Sequence, residues 1–162
     1  MRSPTLSLKG RALRYLAARE HSRAELERKL APHLAEDADP SELARVLDEL
    51  TAKGFISEAR VAESVLYRRA ARLGSARVLH ELRAKGLSDD VVAGAAEQLR
   101  ATELSRARQL WRTKFGNLPE DAAERARQMR FLAARGFAGD VIRRALAAEA
   151  LGEPLDNDDA NG

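Results

Sequence analysis

Hydrophobic positions fall at helical spacing along almost the whole chain, and glycines punctuate them. Leu13, Leu16 and Ala17 predict a first helix over about 9–20. Ser22 and Glu25 have the spacing of a capping box, in which the serine oxygen accepts an orphan amide and the glutamate reaches back. They open a second helix, with Leu26, Leu30 and Leu34 inward. The run Asp39-Pro40-Ser41-Glu42 starts a third, which carries Leu43, Val46, Leu47 and Leu50 and stops at Gly54. After the apolar hinge Phe55-Ile56, Ser57 caps a fourth helix to about Leu73, with Val61, Val65, Leu66 and Leu73 inward. A short fifth buries Val78, Leu79 and Leu82 and ends at Gly86; Ser88 starts a sixth with Val92, Ala95, Ala96 and Leu99. A seventh, from about Thr102, carries Leu104, Ala107, Leu110, Trp111 and Phe115. Pro119-Glu120-Asp121 opens an eighth, which ends at Gly136. After Phe137 a ninth holds Val141, Ile142, Ala145 and Leu146. No segment has the two-residue alternation of a strand.

These helices are copies of one unit. The stretch 79–96 matches 129–146 at six of eighteen positions, Gly86/Gly136 and Asp90/Asp140 among them, and Lys85 stands opposite Arg135. Upstream, VLDELTAKG (46–54) matches VLHELRAKG (78–86) at seven of nine. Internal repetition changes the fold expected of a chain. Grouped in threes, the helices predict an all-α protein: an elongated, curved array of three tandem three-helix repeats over 9–56, 57–100 and 101–151. Such an array buries between neighbours what one bundle leaves open. Residues 1–8 read as a loose arm. Residues 152–162 have no apolar periodicity and read as an acidic, disordered tail.

Charge adds a direction. Charged residues reach 33% of the 162, with a net +3. The tail from Gly152 holds four acids and no base, which leaves +7 on the body before it. A basic body points to a polyanion or an acidic protein surface as partner. The densest basic stretch is 60–85, with Arg60, Arg68, Arg69, Arg72, Arg77, Arg83 and Lys85 against Glu63 and Glu81. Farther on, Arg108 and Arg112 are four apart on one helix face and Lys114 follows. These ten residues are the candidate basic face. Contacts of this kind with phosphates are salt-dependent and nearly blind to sequence.

Other chemistry is thin. There is no cysteine, which excludes disulfides and thiolate catalysis. His21, His33 and His80 are dispersed and lack metal-ligand spacing. No phosphate-binding glycine loop or nucleophile–base pair is present, so neither an enzyme nor a cofactor is expected. No apolar run reaches the length of a membrane span, and the N-terminus lacks a signal peptide's apolar core; a cytoplasmic monomer is expected. Tyr15, Tyr67 and Trp111 raise base stacking. Tyr67 and Trp111 hold similar places in LYRRA and LWRTK, however, and helical spacing favours packing between helices. A helix-turn-helix DNA reader, acting as a transcriptional regulator, is the alternative, with Arg143-Arg144 after the third hinge facing a groove. Against it, the helix after the central hinge, SDDVVAGAAEQL, carries almost no groove-reading side chains.

The sequence resembles the RecX family of bacterial recombinase regulators. The resemblance rests on Ser22-Arg-Ala-Glu-Leu26 followed by Lys29-Leu30, on Leu47-x-x-Leu50-x-x-x-Gly54-Phe55-Ile56, on GSARVLHELRAKGL (74–87), and on Arg135-Gly136-Phe137 followed by Ile142. These pieces stand in the order of the family's triple repeat and cover about 9–150. One departure is Ser57-Glu58 after the first hinge, with Val61 where an aromatic is common. The resemblance implies a negative regulator without a catalytic site. It would lie in the groove of the RecA filament on single-stranded DNA and lower filament growth, ATP hydrolysis and strand exchange. The RecA filament and single-stranded DNA, with double-stranded DNA as a non-specific extra, are the partners so implied.

Overall fold

The structure, a computed structural model, describes residues 5–155. They form eight α-helices, one 3-10 turn and no strand: α1 Leu8–Ala18, α2 Arg23–Leu30, the 3-10 turn Ala31–His33, α3 Glu42–Ala52, α4 Glu58–Arg69, α5 Ser75–Ala84, α6 Asp89–Lys114, α7 Ala122–Ala134 and α8 Gly139–Ala150. The expected sixth and seventh helices are one. No glycine or proline falls between Gly94 and Gly116, so nothing in the backbone ends the helix near residue 100. At 26 residues, α6 is about 39 Å long. The fourth helix also closes earlier than expected, at Arg69 rather than near Leu73.

Three cores form rather than one. Leu8, Ala12, Leu26, Leu30, Leu47, Leu50 and Ile56 make the first. Val61, Val65, Val78, Leu82, Leu87, Val92 and Leu99 lie in the second. Ala107, Trp111, Leu132, Phe137, Val141, Ile142 and Leu146 lie in the third. The first half of α6 therefore serves the second core and its last turns serve the third. Three separate cores strung along the chain are the architecture of an array rather than of one bundle. Leu8 is already in core contact, so the arm at the N-terminus is shorter than expected; residues 1–4 lie outside the described residues. At the other end, the Glu153 and Pro154 carbonyls accept hydrogen bonds from Arg108, so the first residues of the expected tail are held against α6. Residues 156–162 lie outside the described residues.

The capping box is present as spelled: the Ser22 oxygen accepts from Glu25 N–H at 3.1 Å, and Glu25 accepts from Ser22 N–H at 2.8 Å. The seams between repeats reuse such helix starts. The N-terminus of α2 meets the C-terminus of α5: Ser22 Oγ donates to the Lys85 carbonyl at 2.6 Å. The N-terminus of α5 meets the C-terminus of α7 in the same way. There Gly74 N–H donates to the Arg135 carbonyl at 2.7 Å and Ala76 N–H to the Gly136 carbonyl at 3.3 Å. At the second seam orphan backbone donors at one helix start thus satisfy acceptors at another helix end, whereas at the first a side-chain hydroxyl supplies the donor. The aligned residues Lys85 and Arg135 occupy equivalent seams. At the start of α7 the position is filled from within, by the Asp121 carboxylate accepting from Glu124 N–H at 2.7 Å.

Candidate functional site

The arginines of α4 and the turn after it form an exposed cationic surface. Arg68 donates to the Ser64 carbonyl at 3.3 Å and Arg69 reaches Glu81 at 3.4 Å, both from exposed positions. Arg72 follows in a turn that continues the helix, since Leu73 N–H still donates to the Arg69 carbonyl at 3.0 Å. Among the described residues, neither Arg68 nor Arg72 has an ion pair within 4 Å. Arg83 is exposed near the end of α5. The turn that carries Arg72 is fixed from α6. Arg106 donates to the Ala70 carbonyl at 2.8 Å and to the Leu73 carbonyl at 2.7 Å, filling the acceptors that the end of α4 leaves open. Sequence reasoning passed over Arg106, because only the fold brings residues 70 and 106 together.

Other expected members of the basic face do structural work. Lys85 is largely buried: its ammonium lies 2.7 Å from Glu25, with only 15% of the side chain exposed. Arg108 is 5% exposed and lies 2.8 Å from Glu149. Neither is on an open surface. Each sits where two segments meet, and an unpaired charge there is costly. Burial opposes ionisation of Glu149, but Arg112 and Arg108 outweigh it and hold the carboxyl below the usual range. Arg112 is itself engaged with Glu149 at 2.9 Å. Arg77 donates to the Ala134 carbonyl at 2.8 Å, across the second seam. Arg60 pairs with Glu20 at 2.9 Å and donates to the Gly54 and Phe55 carbonyls, which joins the first two repeats. Lys114 is exposed, with its ammonium 5.6 Å from the centre of the Phe131 ring. Of the ten expected residues, Arg68, Arg69, Arg72, Arg83 and Lys114 are exposed and take no part in the seams.

The aromatics part company. Trp111 is 3% exposed, and its indole N–H donates to the buried Gln128 at 2.7 Å. Tyr15 packs on the first core, with its ring 5.6 Å from that of His21. Tyr67 is 90% exposed, contrary to the packing expected of it. The resemblance of LYRRA to LWRTK is out of register. The buried positions are Val61, Ala62 and Val65 in α4 and Ala107, Arg108 and Trp111 in α6. Both sets follow i, i+1, i+4, so Trp111 corresponds to Val65, and Tyr67 stands two residues beyond, on the outer side.

The relatives of the chain are now informative. A family model described as "RecX, third three-helix domain" matches residues 101–146. The chain is 60% identical over 143 residues to a protein of Leptothrix cholodnii named Regulatory protein RecX, covering 88% of this chain and 89% of that one. A protein of the same name from Ralstonia nicotianae is 51% identical over 147 residues, covering 90% and 91%. The chain belongs to the RecX family. The fold agrees: a crystal structure of RecX from Lactobacillus salivarius superposes with a TM-score of 0.76, at 19% identity, over 89% of this chain and 95% of that one. A second structure titled as the regulatory protein RecX gives 0.71 over 85% and 70%.

These RecX relatives are named as regulatory proteins. No helix among the described residues is long and apolar enough to cross a membrane. A concavity of about 660 Å³ between α6 and α8 is lined by Arg100, Glu103, Arg108, Asp140 and Arg144. Its charges are mixed, and Arg108 is already committed to Glu149.

Proposed function

We propose that this chain is a negative regulator of RecA. It binds in the groove of the RecA filament on single-stranded DNA and restrains filament growth, ATP hydrolysis and strand exchange. The observation that carries the reading is the open cationic row Arg68, Arg69 and Arg72, held on an extended three-repeat body of the RecX family. An elongated body can span successive subunits of a helical polymer, and exposed guanidinium groups, two of them (Arg68 and Arg72) without an ion pair among the described residues, meet acidic side chains or phosphates. Inhibition is steric and electrostatic, with no bond made or broken by this chain. The transcriptional alternative finds little support: the helix after the central hinge is the α6 strut, and its outward positions there include Ala93, Gly94 and Gln98.

The test is RecA ATPase on single-stranded DNA with this protein titrated in. Inhibition at or below equimolar amounts is expected. Undiminished hydrolysis overturns the reading. A triple reversal, Arg68→Glu with Arg69→Glu and Arg72→Glu, is expected to raise the concentration for half-inhibition at least about ten-fold at moderate salt without loss of helicity. Unchanged inhibition would place the contact on another surface.

A further inference from the structure

We propose that Tyr67 is a stacking platform for a base of single-stranded DNA, with Arg68 and Arg72 holding the strand's phosphates beside it. The ring stands on the outer side of α4 and is 90% exposed, the most exposed large hydrophobic side chain among the described residues. Three of its four neighbours one turn away are small, Ser64 three residues before it and Ala70 and Ala71 three and four after it, and the exposure of the ring leaves it open to solvent. The acid on the same side, Glu63, lies a turn back toward the start of the helix. Arg68 and Arg72 flank the ring on the other side, with no carboxylate paired to either among the described residues. An aromatic face beside unpaired cations is the combination that binds single strands: the base stacks and the guanidinium groups track the backbone.

The surroundings also suit a base edge. A shallow cleft of about 430 Å³ opens one turn beyond Tyr67, between Ala71 and α6. Thr102, Ser105 and Gln109 line it, and these supply hydroxyl and amide groups but no charge. Arg106 forms its remaining wall and ties the end of α4 to α6, so ring and cleft keep a fixed relation. A protein pocket would also accept a tyrosine. The flanking cations and the hydroxyl and amide groups of the cleft favour a strand of nucleic acid, in which phosphate and base alternate at short spacing. The inference takes from the proposed function only that single-stranded DNA is at hand.

The test compares two labelled strands of equal length and charge, one of thymidylate and one with abasic sugars, by fluorescence anisotropy at moderate salt. The intact protein is expected to bind the thymidylate strand about ten-fold more tightly, the range that base–aromatic stacking supplies. Tyr67→Ala is expected to bring both strands to one affinity, and Tyr67→Trp to keep the preference. Because the side chain is exposed, these changes leave the fold intact. Equal binding of both strands by the intact protein overturns the proposal, as does binding of neither. A preference that survives Tyr67→Ala overturns it too. Loss of RecA inhibition in Tyr67→Ala with the strand preference retained would show a protein contact instead and overturn stacking. Failure of the intact protein to inhibit RecA would sink the regulatory reading alone, since the two strands are compared without RecA.

Discussion

The Lys85 ammonium lies 2.7 Å from the Glu25 carboxylate, sixty residues away in sequence, and closes the joint between the first and second repeats. The same joint holds the Ser22 hydroxyl on the Lys85 carbonyl. Glu25 has two tasks: it completes a helix cap and neutralises the end of the next repeat. Lys85→Ala leaves Glu25 with Arg19 at 3.4 Å as its remaining cation. A loss of about 2 kcal/mol is expected in urea unfolding, with a larger loss for Glu25→Ala, which removes the cap as well. Equal stability of Lys85→Ala and the intact chain would mean that the joint does not depend on the pair.

Acid should open this joint. Burial raises the Glu25 carboxyl, but the Lys85 ammonium and the Ser22 N–H outweigh it and hold it at about 2, against an ordinary value of 4.5. The folded form thus binds this proton less readily than the unfolded form. The stabilisation is complete above about pH 4.5 and is lost as pH falls toward 2. His21 acts in a higher window. Its ring is 1% exposed, and burial holds its pKa below the ordinary 6.5. Stability should fall as pH drops below 6.5, because the unfolded chain takes up that proton first. Thermal melts between pH 7 and 3 should show both steps, with Lys85→Met reducing the lower one and leaving the upper one in place.

Two glycines should respond differently to alanine. Gly54 has φ +79°, with nothing within 4 Å of where a Cβ would stand, so Gly54→Ala should cost about 1–2 kcal/mol of backbone strain alone. Gly74 has an ordinary φ of −72°, yet a Cβ there would lie 2.2 Å from the Gly136 carbonyl carbon. Gly74→Ala must part the second and third repeats, and should cost about 3 kcal/mol or more. Similar melting temperatures for the two variants would contradict the backbone contact at that seam.

The buried Trp111–Gln128 pair makes a fourth case. Gln128 accepts the indole N–H at 2.7 Å and donates to the Asn117 carbonyl at 3.1 Å. Gln128→Leu keeps the volume and leaves the indole N–H without its acceptor. A cost of about 1–3 kcal/mol is expected, together with a shift in tryptophan emission. No change in either would mean that the indole finds another acceptor.

Local features were legible and joints were not. Ser22-x-x-Glu25 spelled its cap, and the Gly86 and Gly136 turns stand at the same place in aligned segments, because both depend on residues a few positions apart. The repeat pattern suggests a helix end near residue 100, yet nothing between Arg100 and Thr102 stops a helix. The burial of Lys85 and Arg108 is not visible in the sequence, because a basic residue looks the same there whether it faces water or a carboxylate. The likeness of LYRRA to LWRTK hides a two-residue difference in register, which puts Tyr67 in solvent and Trp111 in the core.

The length of α6 has a last consequence. The helix lends its early turns to the second core and its late turns to the third, so no linker lies between these repeats. When one of them meets a surface, the other is already within reach and its orientation is set. The second contact then forms at a high effective concentration, without a chain segment to be ordered first. The first repeat has no such strut. It joins through polar contacts at Glu25, Ser22 and Arg60, so its placement depends on ion pairs and hydrogen bonds rather than on a continuous helix.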